Sequence, residues 1–156
     1  MANLLEAAKP EWLEQGAAYA FGRPDSQRPE LPFLKTYIGK AMGRVPQRNI
    51  EEHFPFYLEE RPDPNAGKQP EEPWEGEIAE NGYDIPFKAD DGSYEIKEWA
   101  KDMAANHLGG TMRPVQGYPD VSAYYIEFEE YFGGYNFGGG NAQLCLKTYL
   151  FDWACG

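Results

Sequence analysis

Residues 124–151 read YYIEFEEYFGGYNFGGGNAQLCLKTYLF, and two period-2 runs lie on either side of a glycine-rich turn. In the first run Tyr124, Ile126 and Phe128 point one way and Tyr125, Glu127 and Glu129 the other. That alternation is the pattern of a half-buried strand, and it predicts Glu127 and Glu129 on the exposed side. The second run, NAQLCLKTYLF, puts Leu144, Leu146 and Leu150 on one face and Cys145, Lys147, Tyr149 and Phe151 on the other. With GGYNFGGG as the turn, the two strands are expected to be antiparallel neighbours.

Working outward from this hairpin, HLGG at 107–110 is preceded by Ile96, Trp99, Ala100, Met103, Ala104 and His107 at spacings of three and four. This periodicity predicts an amphipathic helix with Ser93 as N-cap and Gly109 just past its end. ADDGSYEI before it carries a hairpin signal. At the N-terminus ANLLEAAK and PEWLEQGAAYA both read as helix, with Pro10 opening the second. Leu34, Tyr37, Ile38, Ala41, Met42 and Val45 mark one face of a further helix, whose exposed side carries Lys40 and Arg44. A short strand is expected around Phe54 to Leu58.

The 156 residues are 42% hydrophobic and 15% aromatic, with 17 glycines and 13 prolines. Flat rings suit pleated faces, whereas Gly and Pro interrupt helices, so the composition favours strands and turns. The expected fold is α+β, an antiparallel or mixed sheet with two to four helices in one domain spanning 1–156. Within that domain, residues 59–77 hold four prolines and almost no apolar side chains. They are expected to form a surface loop that either moves freely or is ordered by a partner.

The net charge of −12 is unevenly placed: residues 51–80 carry ten acids against two bases. Such a surface repels phosphate backbones and anionic lipid, so the expected partner is a protein with a basic surface, with neither nucleic acid nor membrane. Glu59, Glu60, Glu71, Glu72 and Glu75 supply the charge, and Trp74 among them supplies an aromatic anchor. No leader peptide and no run of about 18 apolar residues is visible, which predicts a cytoplasmic protein. Cys145 and Cys155 read as small buried thiols in preference to a disulfide or metal pair.

Motifs of catalysis are scarce. GGYNFGGG lacks the Lys–Ser/Thr pair of a phosphate loop and opens no helix. His53 and His107 lack the spacing of a metal centre, so no metal and no cofactor is expected. No catalytic residue is assigned. One enzyme-like alternative stays open, a cleft at the C-terminal sheet where His107, Tyr125, Glu127 and Asp152 converge. A subunit of a larger assembly is another.

Three segments in order, HLGG followed by Gln116, YYIEFEEYF, and NFGGGNAQLCL with FDWAC at 151–155, resemble the C-terminal half of the YwqG-like family of bacterial cytoplasmic domains. The resemblance covers residues 105–156. It implies a mixed α/β structure without an assigned activity, and an immunity-type role, since members occur among proteins proposed to protect bacteria from toxins of rival cells.

Overall fold

A computed structural model describes residues 10–22, 31–32, 55–73, 78–90, 93–133 and 135–156. The expected helices at 2–9 and 34–45, with Lys40 and Arg44, lie outside these residues, as do His53, Trp74 and Glu75.

Pro10 opens helix α1 (Pro10–Glu14), as its missing N–H allows. The helix does not continue to Ala20. Gly16 takes a left-handed backbone (φ +99°), and the chain leaves it as strand β1 (Ala18–Gly22). Tyr19 and Phe21 explain the preference, because only an extended backbone delivers both to the same side of a sheet.

After β2 (Leu31–Pro32), strand β3 (Pro55–Arg61) confirms the expected strand and carries it further, into what the sequence suggested was loop. The hairpin signal is realised as β4 (Phe87–Asp90) paired with β5 (Ser93–Ile96). The amphipathic helix at 96–107 is absent. Ser93 and Ile96 belong to β5, Lys97 is extended (φ −59°, ψ 146°), and only a 3-10 turn, Glu98–Ala100, follows. His107 and Leu108 form strand β6. The helical spacing was therefore accidental, since its two ends are claimed by different strands.

Strand β7 (Tyr125–Glu129) runs into a helical turn, α2 (Glu130–Gly133), and the glycine-rich turn leads to β8 (Asn141–Cys145). The second predicted strand stops there. Tyr149, with φ +61°, reverses the chain, and Phe151–Ala154 returns as β9.

Seven strands form one antiparallel sheet in the order β2-β3-β1-β6-β7-β8-β9, with β7 and β8 adjacent as expected. Among the described residues the fold is thus mainly an antiparallel sheet with few helical turns. One row across it runs Tyr19, Leu108, Ile126, Leu144, Phe151. This apolar face packs with Leu13, Phe21, Phe128, Phe132 and Phe137, and Phe21 meets Phe132 edge to face at 4.9 Å. Each such side chain contributes roughly 1.5–3 kcal/mol on burial.

The opposite face is covered too. Met112, Val121, Tyr125 and Cys145 form a second cluster there, with Tyr118 joining it to Ala79, Tyr83 and Ile85. A sheet covered on both sides turns every central strand position inward. Glu127 is consequently buried, correcting the expectation of an exposed carboxylate, while Glu129 is exposed.

Candidate functional site

The row adjacent to the apolar one is the chemical feature of the fold. Its register runs Glu59, Ala20, His107, Glu127, Gln143, Asp152 across six strands. Directly opposed residues of antiparallel strands share a face, so these side chains lie along one line. At its centre His107 is 0% and Glu127 1% exposed.

His107 Nδ1 lies 2.9 Å from the Gly109 carbonyl, so that nitrogen carries a hydrogen. Its Nε2 is 3.2 Å from Glu127 Oε1. The carboxylate also accepts the Arg113 amide (3.0 and 3.1 Å) and Gln143 Nε2 (3.0 Å). Asn141 continues the network, its Nδ2 donating to the Arg113 carbonyl and its Oδ1 accepting from the Val115 amide. Tyr125 stands edge-on to the His107 ring at 5.8 Å. Its hydroxyl donates to the Gly110 carbonyl, and burial pushes its pKa well above the ordinary tyrosine value.

Three of the four cleft candidates therefore meet, and Asp152 does not. It shares the row but sits exposed on the terminal strand. His107 is a strand residue locked under the loop at 110–115, in place of the helix-end position its sequence context suggested. Every ring nitrogen and carboxylate oxygen of the pair is engaged within the fold.

A second buried polar centre lies beside it. Asp63, its side chain 0% exposed, accepts from Arg61 Nη2 (2.9 Å), the Asn65 amide (2.9 Å), the Thr111 amide (3.0 Å) and the Thr111 hydroxyl (2.7 Å). Asn65 in turn donates to the Asp84 carbonyl and accepts the Asp84 amide. Lys97 Nζ closes on Asp84 at 2.6 Å. The described residues from β3 to Gln69 thus take part in hydrogen bonds within the chain. Among the described residues, Arg61 Nε and Nη1 are buried without a hydrogen-bond partner.

The acids expected to meet a partner lie at the surface. Glu59 and Glu60 on β3, and Glu71 and Glu72 beyond it, are all exposed. Cys145 and Cys155 are both free thiols, the first buried and the second exposed, so only Cys145 fits the expectation of a buried side chain. Among the described residues no group of three or more His, Cys, Asp or Glu side chains is placed to hold a metal ion, and no helix is long and apolar enough to cross a membrane.

Of the network residues that the sequence reading did not name, Asn141 and Gln143 carried a signal, since they alternate onto the Cys145 face. Asp63 and Thr111 are 48 positions apart and carried none. No family model, no curated protein and no solved structure matches the chain.

Proposed function

We propose that the chain is an acidic protein-binding module that occupies a basic surface of another protein, with inhibition of a toxin or effector, as the YwqG-like resemblance implies, as its role. The observation that carries this reading is the division of the charged groups. Glu59, Glu60, Glu71 and Glu72 are exposed, whereas His107 and Glu127 are buried and hydrogen-bonded to each other. Exposed carboxylates on a chain of net charge −12 steer a cationic partner and reject anionic ones. A cleft enzyme built on His107 and Glu127 would have to break several hydrogen bonds before either group met a substrate.

The test is affinity capture from native lysate with the immobilised chain, eluted with a salt gradient. A partner that elutes as ionic strength rises, and that Glu59→Lys, Glu60→Lys, Glu71→Lys and Glu72→Lys together no longer retain, supports the reading. Retention of the same partner by that quadruple variant overturns it, as does the absence of any salt-sensitive protein partner.

A further inference from the structure

The two edges of the seven-stranded sheet are built differently. At one edge β2 is two residues long and pairs Leu31–Pro32 with Phe56 and Pro55. Prolines and brevity are the devices that stop an edge from recruiting another strand. At the other edge β9 reads FDWA, four residues with neither proline nor lysine.

Its hydrogen-bonding direction follows from the ladder. Cys145 donates its amide to the Leu150 carbonyl, and Leu144 stands opposite Phe151. Antiparallel pairs alternate between bonded and non-bonded, so Asp152 turns its amide and carbonyl toward β8 while Phe151 and Trp153 turn theirs outward. The side chains alternate as well. Trp153 is 51% exposed and rests on the Phe137 ring at 5.9 Å, which is itself stacked on Tyr135 at 5.6 Å. Asp152 lies on the other side, at the end of the polar row, with no ion-pair partner among the described residues.

We propose that β9 is a second interaction surface, which takes an extended segment of another protein as an eighth antiparallel strand, with apolar residues flanking a lysine or arginine. The backbone of Phe151 and Trp153 supplies the ladder bonds. Trp153 receives the apolar side chains on its face of the sheet, and Asp152 receives the cation on the other. A second copy of this chain is the poorer occupant. Antiparallel pairing of β9 centred on Asp152 sets two carboxylates opposite one another, and each chain brings a net charge of −12.

The probe is a fluorescein-labelled ten-residue peptide of alternating valine and lysine, followed by fluorescence anisotropy. A control peptide N-methylated at every second residue keeps its charge and loses one bonding edge. The unmethylated peptide is expected to bind at least about 10-fold more tightly than the control, and Trp153→Ala to weaken it about 10-fold. Trp153→Pro removes only an outward N–H, so the β8 ladder stays intact while binding is lost. Amide hydrogen exchange should show new protection at Phe151 and Trp153 and none at Asp152.

Equal binding of both peptides, no binding of either, or a β9-paired dimer that Trp153→Lys dissociates in sedimentation would each overturn the proposal. The quadruple lysine variant at 59, 60, 71 and 72 separates this surface from the first. If it loses its lysate partner yet binds the peptide, the two surfaces are independent. If the natural chain fails to bind the peptide yet captures a salt-sensitive lysate partner that the quadruple variant loses, only the β9 surface is refuted.

Discussion

His107 and Glu127 stand directly opposite each other on neighbouring strands, with Nε2 and Oε1 3.2 Å apart and both side chains out of contact with water. Because Nδ1 must donate to the Gly109 carbonyl, the Nε2–Oε1 contact holds one further proton, whichever atom carries it. Removing Glu127 leaves His107 Nε2 buried without its partner, whereas removing His107 leaves Glu127 Oε1 with the Arg113 amide alone.

Glu127→Ala is therefore expected to destabilise the fold by about 2–6 kcal/mol, since it strands His107 Nε2 and the Arg113 amide at about 1–3 kcal/mol each. Glu127→Gln should cost less, roughly 1–3 kcal/mol, since an amide oxygen still accepts from Arg113 and its NH2 donates to a neutral imidazole. Urea unfolding measures both. A double-mutant cycle with His107→Ala should give a coupling of roughly 0.5–3 kcal/mol. A coupling near zero would mean that the contact carries no energy and that Glu127 matters only to Arg113 and Gln143.

Asp63 tests the neighbouring centre. Its carboxylate gathers four hydrogen bonds from β3, the loop after it and Thr111, so Asp63→Ala leaves Arg61 as a buried cation that already lacks two partners. A loss of about 3–5 kcal/mol is expected in urea. Arg61→Met with Asp63→Asn should recover part of it, because the charge is then removed and the amide oxygen still accepts. Failure of the double variant to recover any stability would assign the whole loss to the Thr111 and Asn65 bonds.

How much of this was legible follows from the range of each interaction. The β7 and β8 strands and the β4–β5 hairpin were readable because alternation and turn residues are local properties. The helix at 96–107 failed for the converse reason. Ile96 and His107 are held by β4 and by β1 and β7, partners that a pattern within one window does not reveal. Glu127 was assigned to the correct face and the wrong environment. Alternation separates two faces, but whether the second is wet depends on residues 110–121 folding across it.

Cys145 gives a pH dependence. Burial raises its pKa, yet hydrogen bonds from the side chains and amides of Ser122 and Thr148 outweigh burial and hold the thiol lowered to about 7. The Ser122 hydroxyl stands 3.4 Å from its sulfur. A depressed acid contributes stability that is complete above the unfolded value, about 8.5, and is lost as pH falls through about 7. Relative to Cys145→Ala, the natural chain should therefore gain on going from pH 6 to pH 9, by at most about 2 kcal/mol. Ser122→Ala should shrink that gain and raise the midpoint of thiolate absorbance. A pH-independent difference between the two chains would show that the thiol stays protonated throughout.

The last prediction concerns the strand pair that carries the open edge. Gly140 precedes β8 where the chain passes β9 at close range, and a Cβ built there would lie 1.6 Å from the Ala154 carbonyl oxygen. The obstacle is backbone, so no rotamer change relieves it. Gly140→Ala must push Ala154 away, loosening the Asn141–Ala154 end of the ladder first. A loss of about 1–3 kcal/mol is expected from such overpacking, with faster amide exchange at Ala154 than at Asp152. Gly139→Ala separates contact from conformation, because a Cβ there meets nothing within 4 Å while the φ of +84° disfavours any side chain. Its cost should be about 1 kcal/mol and should leave β9 exchange unchanged. Equal effects of both variants on β9 would show that the turn's conformation governs the pairing, with the close approach at Gly140 incidental to it.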